Sequence, residues 1–388
     1  MPVVNRFADF HADIAAWRRD IHQHPELLYD VHRTAATVAE KLSDFGLDEV
    51  TTGVGRTGVV GIIRGRDAGA GKVIGLRADM DALPIHEATG KPYASTHDGR
   101  MHACGHDGHS AMLLGAARYL AETRNFSGTV AVIFQPAEEG GAGAKAMIDD
   151  GLMERWAIDE VYGMHNMPGL AVGKLATRPG AIMASADRFT IEITGIGGHA
   201  ARPHATIDPV VVGSAIVQAL QTVVSRAVDP LESAVVSVTT FHVGQADNVI
   251  AETAKLGGTA RSLKAPVRDL VEARMKAIVE SVAAVYGATA RFNYQRGYPV
   301  TRNHAAATAF AVGVAGSVVG AANVAADAPP VMGGEDFSYM LEQRPGSFIF
   351  IGNGDGAGLH NPSYDFNDDI IPIGCSYWVR LVETALPA

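Results

Sequence analysis

This chain places acids and histidines where its apolar strands stop, and that pattern limits what it can fold into more than any other feature. Val73–Leu76 runs straight into Arg77-Ala78-Asp79-Met80-Asp81. Thr129–Phe134 ends in Gln135-Pro136-Ala137-Glu138-Glu139, and a shorter run ends in Met164-His165. Helical patterns lie between them, at about 107–123 and 142–150. Strand, loop and helix in repetition give an α/β fold, a mostly parallel sheet with helices on both faces. Such sheets bind ligands outside the carboxyl ends of their strands.

At the N-terminus, Phe7, Phe10, Ile14, Trp17 and Ile21 recur at helical steps, and Pro25 marks where that helix has ended. The middle of the chain reads differently. Phe189, Ile191 and Ile193 alternate with polar neighbours, as in a half-exposed strand. Helices at about 209–228 and 267–285 then interleave with strands near 235–241, 254–260 and 289–294. An α+β unit inserted into the first domain follows, with boundaries at 1–185, 186–296 and 297–388.

The net charge is −10, from 32 basic and 42 acidic residues. So acidic a chain is poorly suited to nucleic acid, whose phosphates need basic surface. With 47% hydrophobic residues and 19% charged, it can build a large core and is not disordered. No apolar run is expected to reach the ~18–20 residues that span a bilayer. The first ten residues lack the layout of a signal peptide. Two cysteines, Cys104 and Cys375, are too few for a disulfide framework, so a cytoplasmic protein is expected.

The densest chemistry is His102-Ala103-Cys104-Gly105-His106-Asp107-Gly108-His109. With 15 histidines in 388 residues, a stretch such as 97–109 should hold about half of one; it holds His97, His102, His106 and His109. A buried thiol explains Cys104 alone, but it leaves the crowding unexplained. Thiolate and imidazole suit zinc and other late divalent metals. Glu138-Glu139 offers two carboxylates aimed differently, one to hold a cation and one to take a proton from water. His165-Asn166 and His360-Asn361 could each supply another nitrogen. In the inserted unit, Gly197-Gly198-His199 could expose an imidazole at a loop tip. Asn248 and Arg261 stand next to strands there, and an arginine fork suits a carboxylate. The chain contains no Gly-x-x-x-x-Gly-Lys-Ser/Thr loop and no Gly-x-Ser-x-Gly elbow, which removes the anchors of P-loop and serine-hydrolase chemistry.

Together the stretches Arg77 to Pro84, Met101 to His109, Gln135 to Gly140, His165-Asn166, Gly198 to His204, Gly333-Gly334-Glu335-Asp336-Phe337 and His360-Asn361-Pro362 resemble the M20 metallopeptidase family. The likeness is to its aminoacylase-like amidohydrolase branch, which includes hippurate hydrolases, N-acyl-amino-acid deacetylases and auxin-conjugate hydrolases. The resemblance implies a catalytic domain interrupted by a lid and dimerisation domain. It also implies two divalent ions (Zn, Mn, Co or Ni) held by Cys104, His106, Glu139, His165 and His360. Glu138 matches the general base. His199 matches a lid histidine that reaches the substrate carbonyl of a neighbouring subunit in a homodimer. Asn248 and Arg261 match positions that contact the substrate's carboxylate end. Relatives often carry a metal-binding His two residues before an Asp; here those positions are Asp79 and Asp81, and Asp81 is expected to orient a ligand from behind. The implied activity is hydrolysis of N-acyl amino acids, with a dipeptidase or aminopeptidase as the alternative. A non-catalytic metal-stabilised binding protein is the third reading.

Overall fold

A computed structural model describes residues 4–67 and 71–388. Residues 1–3, part of the N-terminal stretch read above, lie outside the described residues. The chain forms two compact units. One runs to Ile182 and takes in Arg302–Pro329 and Asp336–Ala388; the other holds Met183–Thr301 and Pro330–Glu335. The sequence placed the return crossing at 296/297 and treated 297–388 as one piece. The structure puts that crossing at Thr301 and gives a short later segment to the inserted unit. Pro330–Glu335 is too short to show any periodicity, so nothing in the sequence marked it.

The larger unit is built on an eight-stranded sheet. Its strands lie in the order Glu49–Val54, Gly58–Arg64, Thr129–Gln135, Val73–Asp79, Glu160–Pro168, Gly346–Gly354, Leu175–Ala176, Val324–Ala325. The four central strands are parallel, whereas Gly58–Arg64 pairs antiparallel with both of its neighbours. Residues 58–63, 74–79 and 130–135 are buried without alternation, so both faces of the sheet are covered. Phe7, Phe10 and Ile14 of the helix Arg6–Gln23 pack into this core with Met112, Leu113 and Trp378. Because the central strands are parallel, Asp79, Gln135, His165 and the residues after Gly354 all reach the same edge.

In the inserted unit four strands lie in the order Ala234–Val243, Thr253–Ser262, Ala186–Thr194, Thr289–Tyr298, all antiparallel. Val267, Val271, Met275, Val279 and Ala283 recur at steps of four on the helix Ala265–Val285, and all are buried, as one amphipathic stripe requires. The other helix, Pro209–Thr222, starts at Asp208, whose carboxylate accepts from Val210 N–H at 2.8 Å. With the π-helical turn that follows, it makes an apolar run of 19 residues, Pro209–Ala227, long and apolar enough to cross a membrane by length and composition alone. This corrects the expectation that no such run exists. Val212, Ile216, Leu220 and Val223 of this segment belong to the unit's own core.

Candidate active site

The cluster forms where the parallel strands end. Cys104 and His106 flank Gly105 at the start of the helix His106–Thr123. Gly105 adopts φ +88°, and a Cβ there would lie 2.3 Å from Asn166 Oδ1 and 2.6 Å from Tyr364 Oη. Only glycine fits that turn. His106 Nδ1–H donates to the Asp81 carbonyl at 2.7 Å, and His165 Nδ1–H donates to the Asn166 carbonyl at 2.6 Å. Each bond turns Nδ1 outward to a carbonyl and leaves Nε2 facing inward, where a cation could replace its proton. His165 Nε2 lies 3.4 Å from Cys104 Sγ. His106 Nε2 stands 3.9 Å from Glu139 Oε1, and His360 Nε2 is 3.2 Å from the same oxygen. His360 has φ +60°, and its N–H donates to the Ala103 carbonyl at 2.8 Å, tying its loop to the Cys104 turn.

Metal-ligand-type atoms of Cys104, His106 and His165 lie within 4.8 Å of one another. The same holds for Cys104, Glu139 and His360, and for His106, Glu138 and Glu139. His106 Nε2 is buried and has no hydrogen-bond partner among the described residues. An orphaned buried polar atom is costly, and a divalent cation would satisfy it. The electrostatics agree. Burial, then Glu139 and Glu138, push the Cys104 thiol far above its ordinary range. Burial alone would lower His106, yet Asp79 and Asp81 raise it to about 10. This pocket draws positive charge, and a divalent cation bound there would favour the thiolate of Cys104.

The two aspartates sit behind these groups. Asp81 accepts from the backbone N–H of Glu138 at 2.9 Å and of Glu139 at 3.1 Å, fixing the loop that carries both carboxylates. Asp79 accepts from His109 Nδ1–H at 2.7 Å and from Arg77 Nη1–H at 2.8 Å. Burial would raise Asp79, but His106, Arg77 and His109 hold it well below the carboxylate range. His109, Arg77 and Asn166 were not singled out as site residues from sequence. The signal for His109 was its place in the histidine cluster; Arg77 opened a stretch that carries the family resemblance but had no role attached to it. His97, also counted in that cluster, is exposed; its backbone bonds with Ser95 and Arg100, and its ring meets His24 rather than the cluster.

In the inserted unit, His199 and Asn248 are exposed on a two-stranded ribbon that pairs His199 with Val249. His199 Nδ1 accepts from Ala201 N–H at 3.1 Å, so a neutral ring carries its proton on Nε2. The Asn248 carbonyl accepts from Ala200 N–H at 3.1 Å. Arg261 is half-buried, and its Nη1 donates to Thr259 Oγ1, the Ala260 carbonyl at 3.2 Å and the Asp187 carbonyl at 3.4 Å. That nitrogen is occupied within its own sheet.

Fold and donor set together describe an enzyme built around a cluster of candidate metal ligands. Residues 75–384 match the model of Peptidase family M20/M25/M40. The chain is 42% identical to a hippurate hydrolase of Campylobacter jejuni over 98% of both chains. It is also 42% identical to an N-acetyl-L-cysteine deacetylase of Bacillus subtilis, over 93% of this chain and 85% of that one. A Bacillus subtilis crystal structure described as a dinuclear metal-binding peptidase of the M20 family superposes with a TM-score of 0.84 at 35% identity, covering 98% of this chain and 99% of that one. The chain belongs to the M20 family and is an amide-hydrolysing enzyme.

Proposed function

We propose that this enzyme hydrolyses N-acyl amino acids to a carboxylic acid and a free amino acid. The observation that carries the reading is the convergence of Cys104, His106, Glu139, His165 and His360, with Glu138 on the same loop as Glu139. The hippurate hydrolase and acetylcysteine deacetylase likenesses support the acyl amino acid as substrate. In this reading the five residues hold two divalent cations, the larger unit is the catalytic domain, and the inserted unit is a lid.

When bound, the cations acidify water and polarise the amide carbonyl. Glu138 takes the proton of the attacking water and delivers it to the leaving amine. Asp81 keeps Glu138 aimed by holding its backbone N–H. His199 Nε2–H donates to the carbonyl oxygen as negative charge develops there, supplied by a second copy of the chain. Asn248 and Arg261 receive the substrate's carboxylate. The exposed side chains of Ile196, Val210, Val211 and Val249 in the inserted unit support a homodimer formed through that unit. The free thiols of Cys104 and Cys375 suit the reducing cytoplasm.

The test is a panel of hippurate, N-acetyl amino acids and free dipeptides. It would be run on chelator-treated protein and on protein reloaded separately with Zn, Mn, Co or Ni. Chelation should remove turnover, and at least one metal should restore it on acylated substrates. Activity that survives chelation, or that appears only on dipeptides, overturns the reading.

A further inference from the structure

The loop that carries Glu138 and Glu139 joins the strand Thr129–Gln135 to the helix Gly143–Asp149. Asp81 holds its middle, as described above. Its two ends are held by a different aspartate. Asp336 accepts from Gln135 Nε2–H at 2.8 and 3.0 Å and from Ala144 N–H at 2.9 Å. One carboxylate therefore closes the loop at both of its roots. The backbone N–H of Asp336 also points at Glu138 Oε1, 3.4 Å away.

A carboxylate with no exposed surface needs a countercharge, and Arg77 supplies it. Its Nη2–H donates to Asp336 Oδ1 at 3.1 Å, its Nε–H to Gln135 Oε1 at 2.8 Å, and its Nη1–H to Asp79 Oδ2 at 2.8 Å. Three directions of one rigid fork are used, so lysine could not replace it. Through Asp79 the same guanidinium reaches His109, whose Nε2 lies 2.7 Å from Asn166 Oδ1 and 3.0 Å from Asn166 N, beside His165. Arg77 thus links the carboxylate loop to the histidine side of the cluster.

We propose that Arg77 is a positioning residue: with Asp336 and Gln135 it staples loop 136–142 so that the Glu138 carboxylate keeps its aim. The staple rests on the reading of Glu138 as base, yet its mechanical part can be tested without any substrate.

The variants are Arg77→Lys, Asp336→Asn and the milder Gln135→Met, which removes only the amide arm. Hydrogen exchange of the peptide spanning 136–144 should accelerate in each, with exchange at 111–120 unchanged. On the acyl amino acid that the wild type turns over best, kcat should fall about 10–100-fold, the usual cost of removing a group that supports a site from behind. KM and bound metal should stay near wild type. The double variant Arg77→Lys/Asp336→Asn should be no slower than the slower single, because both act through one staple. Unchanged exchange at 136–144 overturns the proposal, as does faster exchange with kcat intact. If Arg77→Lys and Asp336→Asn unfold or lose metal, Gln135→Met alone decides by the same two readouts. A wild type inactive on every acyl amino acid would sink the proposed function, while the exchange comparison would still judge the staple.

Discussion

The two units handle charge in opposite ways. In the larger one Arg18, Arg77, Asp79, Asp81, His106, Asp107 and His109 are at most 2% exposed, and nearly all of them meet a partner inside the same fold. Arg18 and His22 meet Asp107 at 3.1 and 2.8 Å; Arg77 and His109 meet Asp79. In the inserted unit His199 and Asn248 stand in solvent on a short ribbon. Asp187 there shows what a buried charge needs, accepting from Arg268, the Tyr294 hydroxyl and Gly297 N–H. The difference separates two kinds of site. Side chains locked by buried partners are set before a ligand arrives. An exposed imidazole held by one N–H acquires its full surroundings only when a ligand or another chain covers it.

The sharpest way to break this comparison is Glu138→Gln. Turnover should fall about 10²–10⁴-fold, the usual worth of general acid–base catalysis, with metal content unchanged by elemental analysis. Retained activity would remove the base from the larger unit. His199→Ala should cost somewhat less, about 10²–10³-fold in kcat, as loss of one donor to a developing oxyanion does. Its thermal midpoint should not move, because the side chain is exposed. Mixing the two inactive variants and letting them exchange subunits should restore up to about a quarter of wild-type activity, if each site takes its imidazole from a symmetric partner. No recovery would place both groups in one chain.

The smallest effect is on stability. Burial alone would lower His22, but the Asp107 carboxylate, helped by Glu87, raises it to about 9. A raised value means the folded chain holds this proton more tightly than the unfolded chain does. The stabilisation is complete below about pH 6.5, the ordinary histidine value. It is lost as pH climbs through 9, by about 3 kcal/mol in all. Denaturant midpoints measured from pH 6 to pH 10 should fall across that window, and His22→Gln should flatten the fall.

The architecture and the candidate ligands were legible because both leave local marks. Apolar runs that stop at Asp79, Gln135 and His165 announce parallel strands, and Cys104-Gly105-His106 announces a cluster. Residues that work over long distances showed no role. Arg77 and Asp336 stand in stretches that carry the family resemblance, but they are far apart in the chain, and nothing local distinguishes a hub arginine from a solvated one. Arg18 and His22 were equally hidden: they are polar residues on a helix whose visible stripe is Phe7, Phe10, Ile14, Trp17 and Ile21. The direction of the strand Gly58–Arg64 was hidden for a related reason, since a strand's apolar pattern does not state its direction, although a mostly parallel sheet was expected and is found. Arg261 shows the converse. Its guanidinium looked suited to a ligand, and the fold gives one of its nitrogens to neighbouring oxygens of its own sheet.

The strand Gly346–Gly354 lies at the heart of the larger sheet, beside Glu160–Pro168, although the whole inserted unit separates them along the chain. A ribosome extending the chain at ~5–20 residues per second would need roughly 10–40 s between releasing His165 and His360. Throughout that interval the nascent sheet has a bare apolar edge, and the cluster lacks its last imidazole. The inserted unit, contiguous apart from one short segment, can finish folding in the meantime. Newly made enzyme should therefore acquire cation-dependent protease resistance only after the carboxyl-terminal strand has docked.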